Sequence, residues 1–517
     1  MAAIQPRPYP PPFEPVRRGP WPLRMLAAAE RMVKSKLFGC WMCGNCILPE
    51  TAFICPMSCP KGLRNGPCRG STPERCFVDP ACGCTWFAIC QKAEEEGDLE
   101  QLLEVNAPLD YRRVGCETLF STFQHWRQKD DGPYLRDLLT KRNRFNSNWA
   151  DFRYGLRQPD WWQGDGCYHP PAYRQPVSAL EATLRAGKLA ISAEMAPPMD
   201  PSGERIALVA SYLRGVVDTV NYTDNPLGVA RMSGLACAMH CLERDVEPVL
   251  QLQTRHRRRH DFENEATSAA LVGVRNILCL TDDIGRLGPG PTPKPEFYDL
   301  DAVQALWILR RLRDEGLNAD GQSVEHRPQY FLGAIASPFA ALPRYEAIIT
   351  EKKINAGAQF LQTVPVFDLS RFNDWLEAVD KRSLLEKVYL MPTVALLKNA
   401  RHARFMANEV PGIYIPPALM ERLEKAADPL EEGIQIALAL INELKSTPGI
   451  HGVHILAPGQ EQFVPRLIRE TDLKNAKPRA RTGSGFTPKN GKPKPPASLA
   501  TKSDDLSGSP YPGKPYP

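Results

Sequence analysis

Nowhere do the 517 residues hold a run of about 18 uninterrupted apolar residues, so no membrane-spanning helix is expected. The first twenty, MAAIQPRPYPPPFEPVRRGP, lack the apolar stretch of a secretory signal, which makes the cytoplasm the expected compartment. No G-x-G-x-x-G follows the first predicted strand, which counts against an open dinucleotide-binding sheet. A strong charge of one sign is also missing from the body of the chain. From Lys474 onward nine Lys or Arg face only Asp504 and Asp505, a tail of +7 in a chain of +5, so the remainder is −2. A near-neutral body with a basic tail argues against nucleic acid as the main partner.

What is present is unevenly placed. Ten of the fifteen cysteines lie between Cys40 and Cys90, and the others are Cys116, Cys167, Cys237, Cys241 and Cys279. Without a secretion signal, such density reads as metal or cluster ligation and not as a disulfide framework. Two tight groups open it, Cys40-x-x-Cys43-x-x-Cys46 and Cys55-x-x-x-Cys59, before Cys68, Cys76, Cys82, Cys84 and Cys90. Four thiolates close a zinc site, and eight can hold two four-iron clusters.

Length points to roughly two to four domains. Residues 1–24 are proline-rich and read as a loose arm, and 474–517, rich in Pro, Gly, Ser and Lys, as a disordered tail. Between them lie the cysteine module (25–100), a connecting region (101–185) with Trp126, Trp149, Trp161 and Trp162, and a repetitive segment (186–473). That last segment alternates short apolar runs with helical patterns such as DLDAVQALWILRRLRDEG. The runs are LAISAEM, VVDTVNY, EPVLQLQ, RNILCLT, QYFLGAI, AQFLQTV, KVYLMPT and GVHILA. Eight strands separated by helices predict an α/β (β/α)₈ barrel preceded by a small cysteine-rich domain.

Barrel chemistry sits at the C-terminal ends of strands. Those ends carry Glu194, Thr223, Asp224, Gln251, Arg255, Asp282, Asp283, Gln362 and Thr363. A carboxyl group in the apolar stretch around Glu194 is poorly solvated, binds its proton more tightly and can act as a general acid. A buried carboxylate paired with an arginine is the plainer alternative.

Several segments resemble the methylenetetrahydrofolate reductase family. ISAEMAPP is similar to its first strand, where a Glu precedes a Pro-Pro turn, and VNYTDNP to its second. QLQTRHRRRHDFENEATSAALVGVRNILCLTDD resembles its third strand, helix and fourth strand. INAGAQFLQTVPVFD, MPTVALLKNARHARFMANEVPGIYIP and GVHILA follow in the family's order, so the likeness covers about 186–470. It implies a barrel with non-covalent FAD that passes hydride from a reduced nicotinamide to the one-carbon unit of methylenetetrahydrofolate, with NAD(P)H or a redox protein as the electron partner. It further implies Glu194 as the acid that protonates the folate's bridging nitrogen, and Asp283 as a charge beside flavin and folate. Thr223, Gln251, Arg255 and Lys353 fall at or beside flavin-contact positions, Gln251 standing where some members carry His. The run Arg255–His260 reads equally as cofactor contacts or as a solvated helix start. Two departures concern the substrate: Asp282 precedes Asp283 in place of Gly, and the sixth strand ends Thr363-Val364 where the family's Thr-Gln contacts the pterin.

CGNC, ICPMSCPKGLRNGPC and the final Cys-x-Trp resemble the family's cysteine-rich C-terminal domain, and the small subunit that partners the flavin barrel in acetogenic bacteria. The resemblance implies Cys40, Cys43, Cys46, Cys55, Cys59, Cys68, Cys76 and Cys84 as ligands and leaves Cys82 and Cys90 as spares. Iron–sulfur clusters would make the module an electron relay, and zinc a structural clamp; eight ligands favour iron–sulfur. Here Arg69-Gly70 replaces the usual Gly-Gly, and the module precedes the barrel. The expected function is reduction of methylenetetrahydrofolate to methyltetrahydrofolate or the reverse, with a homo-oligomer possible. A methyltetrahydrofolate-dependent methyltransferase-like barrel and a catalytically weakened electron-transfer subunit remain the alternatives.

Overall fold

A computed structural model describes residues 21–115, 118, 162, 164–224, 230–281 and 298–479. Eight parallel strands close into a barrel in sequence order: β1 (Ala190–Met195), β2 (Thr219–Tyr222), β3 (Glu247–Gln253), β4 (Asn276–Leu280), β5 (Phe331–Ala336), β6 (Phe360–Pro365), β7 (Tyr389–Ala395) and β8 (Gly452–Leu456). Each expected apolar run supplies one strand. Helices on the outside bury the outer faces, which is why the strands read as nearly continuous apolar runs. Helix starts are marked in the sequence: Asp301, Asp368, Asn399 and Asp428 each accept a backbone N–H of the first turn that follows.

Helix α3 (Ala179–Arg185) closes the N-terminal end of the barrel, where Leu180 and Leu184 pack with Ala190, Val249, Phe331, Phe360, Tyr389 and Met391. Phe331 and Phe360 stack with ring centroids 4.9 Å apart. Gly333 makes that possible, because a Cβ at its position would come within 2.3 Å of the Phe360 ring. Full burial of an aromatic side chain contributes roughly 1.5–3 kcal/mol, so this floor holds the barrel together and leaves the other end for polar groups.

The cysteine module comprises helix α1 (Trp21–Phe38), two short 3₁₀ turns (Leu48–Thr51 and Pro56–Ser58) and helix α2 (Thr85–Glu95), joined by loops. It docks beside helices Ala302–Asp314 and Pro343–Asn355. Trp86, Phe87 and Leu102 form one apolar cluster with Tyr345 and Ile348. Asn65 Nδ2 donates to Asp301 Oδ2 at 2.9 Å, and the Arg64 guanidinium donates to Asn45 and Ala107 carbonyls at 2.8 Å. Trp162 of the connecting region is wholly buried, and its ring lies 6.3 Å from that of Trp307. Trp126, Trp149, Trp161 and Cys116 lie outside the described residues.

The described structure reaches past both expected tail boundaries. Helix α1 starts at Trp21, inside the arm assigned to residues 1–24, because a proline such as Pro22 is tolerated in a first helical turn. At the other end the chain stays bound to the barrel past 474: Lys474 donates to the Gly215 carbonyl, and Gly449 N–H donates to the Arg479 carbonyl at 2.9 Å. Among the described residues no helix is long and apolar enough to cross a membrane.

Candidate functional site

Polar side chains that occupy alternate positions of buried strands meet inside the upper half of the barrel. Asn221 on β2 donates to Gln362 on β6 at 2.7 Å, and Gln362 donates to Ser192 on β1 at 3.2 Å. These strands are not neighbours in the sheet, so the bonds cross the interior. Ser192 Oγ lies 2.8 Å from His454 Nδ1, and His454 Nε2 lies 3.5 Å from Glu194 Oε2. Gln251 on β3 then donates to the same Glu194 oxygen at 2.8 Å. The result is one continuous network from Asn221 to Gln251, ending on a carboxylate.

Glu194 is the member that opens outward: its side chain keeps 17% of its surface, against 4% for His454. A carboxyl group held by a glutamine amide and beside an imidazole has a fixed direction and a possible proton source. The sequence reading identified Glu194 and Gln251 but passed over His454, Ser192 and Asn221. The available signal was polar residues at every second position of otherwise apolar strands, as in Ser192-x-Glu194 and Thr219-x-Asn221, and the single His454 in β8.

The other expected barrel residues divide. Thr223 follows β2, and its buried Oγ1 has no hydrogen-bond partner among the described residues. Ser337, just past β5, has a buried hydroxyl in the same condition. Unpartnered buried donors at two strand ends fit a polar ligand laid across the mouth. Lys353 donates to the Ile335 carbonyl at 2.8 Å and lies 3.9 Å from Glu346, and burial holds its proton affinity below that of an ordinary lysine. Arg255 forms an isolated bridge with Tyr298. Three others of its run pair with protein carboxylates: Arg257 with Asp224 and with Glu265 at 2.7 Å, Arg259 with Asp299 at 2.6 Å, and His260 with Asp320 at 2.8 Å. Those side chains brace the start of helix Arg259–Leu271. Asp282 and Asp283 lie outside the described residues.

Val364 is 3% exposed and belongs to the apolar core. Gln362, two residues earlier, has its amide engaged by Asn221 and Ser192. The register shifts between Gln362 and Pro365, so the end of β6 departs from simple alternation.

The thiols form two sets of four. Burial and the nearby Cys46 and Cys43 push the Cys40 thiol up to about 12, and Cys55 is raised by burial and by the same neighbours Cys43 and Cys40. Burial with Cys68 and Cys76 alongside raises Cys59 to about 12, and Cys84 is raised by burial and by Cys68, Cys59 and Cys76. Cys55 and Cys59 stand four residues apart in sequence. The 3₁₀ turn Pro56–Ser58 separates them and sends each to a different set. Cys90 packs in the apolar cluster of α2, and Cys82 points at the Asp79 carbonyl. Cys40, Cys43, Cys46 and Cys55 line a cavity of about 370 Å³, counted out to its mouth, together with Lys34 and Arg64. Among the described residues no three His, Cys, Asp or Glu side chains converge as closely as one metal ion requires. Burial keeps the Cys40, Cys55, Cys59, Cys76 and Cys84 thiols from ionising readily, and a bound metal centre would supply the positive charge that reverses this.

Comparison with known proteins decides the family. The model described as "Methylenetetrahydrofolate reductase" matches residues 179–472, and "Methylene-tetrahydrofolate reductase C terminal" matches 23–112. The chain belongs to the methylenetetrahydrofolate reductase family. No curated protein matches it. Among solved structures, an uncharacterized protein from Clostridium thermocellum that binds two copies of 5-methyl-5,6,7,8-tetrahydrofolic acid is 16% identical. That match covers 57% of this chain and 99% of the other, with a TM-score of 0.41. An F420-dependent secondary alcohol dehydrogenase is 12% identical over 55% of this chain and 98% of its own, with a TM-score of 0.36. In this family member, then, a Glu–Gln–His constellation stands at the barrel mouth, and a module with two four-thiol sets packs on the side of β4 and β5.

Proposed function

We propose that this protein is a flavin-dependent methylenetetrahydrofolate reductase, interconverting methylenetetrahydrofolate and methyltetrahydrofolate, with its cysteine module relaying electrons to the barrel. The observation that carries the reading is Glu194, fixed by Gln251 and His454 at the open end of a barrel of this family.

FAD is the proposed cofactor, and the residues present suit it: Thr223 and Ser337 offer buried unpartnered hydroxyls, and Gln251, Arg255 and Lys353 surround the same mouth. The chemistry flavin supplies when bound is hydride transfer to or from the one-carbon unit. Glu194 then has one task, to hold a proton and give it to the bridging nitrogen of the folate as the ring opens. Gln251 and His454 orient its carboxyl group, and Ser192 fixes the imidazole ring. Asp283, three residues beyond β4 in sequence, is the proposed second carboxylate of the site.

The eight thiols of the two sets are the proposed ligands of two iron–sulfur clusters. Eight ligands suit two centres of several iron atoms better than a single zinc ion. NAD(P)H or a redox protein is the proposed electron partner.

The test is composition after anaerobic purification with added FAD. Heat-released supernatant should contain FAD, and the protein should contain iron and acid-labile sulfide. Absence of retained FAD refutes the reductase reading. Stoichiometric zinc without iron refutes the relay and leaves a structural clamp.

A further inference from the structure

From Glu194 inward, the polar network of the barrel has only one consistent sense. A carboxylate accepts hydrogen bonds and donates none, so Glu194 Oε2 requires an N–H from each neighbour, Gln251 Nε2 at 2.8 Å and His454 Nε2 at 3.5 Å. An imidazole with its proton on Nε2 presents a bare Nδ1, and Ser192 Oγ lies 2.8 Å from that atom. The Ser192 hydroxyl therefore donates to Nδ1, and its oxygen accepts from Gln362 Nε2 at 3.2 Å. Gln362 Oε1 accepts in turn from Asn221 Nδ2 at 2.7 Å. Each link then joins a donor to an acceptor, as buried polar groups require.

The opposite ring form breaks this order. With its proton on Nδ1, His454 would donate to Ser192 and turn a bare Nε2 toward Glu194. Two lone pairs would then face each other unless the carboxyl proton moved onto Oε2, against the imidazole. The Ser192 hydrogen would also lose the acceptor it has. Ser192, Asn221, Gln362 and His454 are all buried, so bulk water does not repair such a mismatch. The strand register holds the parts in place: Ser192 on β1 pairs with His454 on β8, and Glu194 is the next residue on the same face of β1. Glu194 Oε1, in contrast, has no hydrogen-bond partner among the described residues, and this side chain is the one member of the group that opens outward.

We propose that Asn221, Gln362 and Ser192 are positioning residues that hold His454 in its Nε2–H form, so that Glu194 carries its transferable proton on Oε1. This rests on the reductase reading above and adds what that reading leaves open: which carboxyl oxygen is the acid, and why the imidazole beside it does not take the proton. A ring nitrogen that already bears hydrogen has no lone pair for another. His454 therefore does not drain the acid before the reaction, and its N–H steadies the carboxylate afterwards. In that step the O–H bond at Oε1 breaks, an N–H bond forms at the bridging nitrogen of the folate, and the electron pair left behind is the Glu194 carboxylate.

The test is nuclear magnetic resonance of the full chain with its histidines labelled in the ring nitrogens, whose shifts separate a bare nitrogen from a protonated one. The His454 signals are those lost in His454→Gln. Wild type at neutral pH should show Nε2 protonated and Nδ1 bare. Protonated Nδ1, alone or together with Nε2, overturns the proposal. Ser192→Ala removes the donor, so Nδ1 should become partly protonated, and Ser192→Thr, which keeps a hydroxyl, should restore the wild-type ring. An unchanged ring in Ser192→Ala overturns the role of the chain. In anaerobic stopped flow, Ser192→Ala should slow flavin reoxidation by methylenetetrahydrofolate roughly tenfold, a part of what loss of the acid itself costs. FAD content and flavin reduction by the donor should not change. Equal loss in both half-reactions shows damaged packing and overturns the positioning role. If Ser192→Ala does not fold, the wild-type spectrum alone still supports or overturns the ring assignment. A wild type with the expected ring that does not act on methylenetetrahydrofolate removes the reductase reading and the acid role resting on it, and leaves the ring assignment standing.

Discussion

Glu194→Gln changes one oxygen of the side chain and almost nothing of its shape. Gln251 Nε2, which donates to Glu194 Oε2 at 2.8 Å, keeps an acceptor in the amide oxygen, so the network loses little. Stability should change by less than about 1 kcal/mol, the size of one ordinary hydrogen bond. The proton is another matter, because an amide has none to give. Loss of a general acid lowers a rate roughly 10²- to 10⁴-fold, or about 3–5 kcal/mol of barrier. Only the folate step needs that proton; reduction of flavin by the electron donor does not. Anaerobic stopped-flow absorbance separates the two, following flavin bleaching by donor and then its return on adding methylenetetrahydrofolate. The expected result is normal bleaching and a return slowed by those orders of magnitude, with FAD content preserved. Equal damage to both steps would show a structural carboxylate, and an undamaged folate step would remove Glu194 from the chemistry.

Two further outcomes follow from buried groups. Val364→Gln should tighten folate binding, measured by isothermal titration, if the pterin lies against the end of β6 as in the family; unchanged or weaker binding places the substrate elsewhere. His451 accepts the Leu390 N–H at 3.2 Å, and burial lowers its proton affinity from 6.5 to about 4. The unfolded chain therefore takes up a proton below pH 6.5 that the folded one refuses. Stability present above about 6.5 is lost as pH falls toward 4, by on the order of 3 kcal/mol. Urea midpoints at pH 7 and pH 5 should differ less in His451→Asn than in wild type; equal differences refute the assignment.

The barrel was legible because its strands are buried on both faces and its helices begin at capping residues. EPVLQLQ matches β3 residue for residue, and the other runs differ from their strands by a few terminal positions. The interior was less legible. His454 sits in a short apolar run, and only its distance from Glu194, across the closure of β8 on β1, gives it a role. The partition of the thiols is not carried by spacing: Cys55 and Cys59 are close in sequence, and the turn Pro56–Ser58 stands between them. The seating of the loop Gly66–Gly70 depends on its contacts with segments hundreds of residues away, Ile349 and Pro411, which local pattern does not carry.

The most direct test of the account is a single turnover without oxygen. Protein carrying FAD is photoreduced, mixed with methylenetetrahydrofolate, and followed at the flavin absorbance while the folate products are separated. The account predicts that oxidised flavin returns and that methyltetrahydrofolate forms in an equal amount. Flavin that stays reduced, or returns without methyltetrahydrofolate, would contradict it.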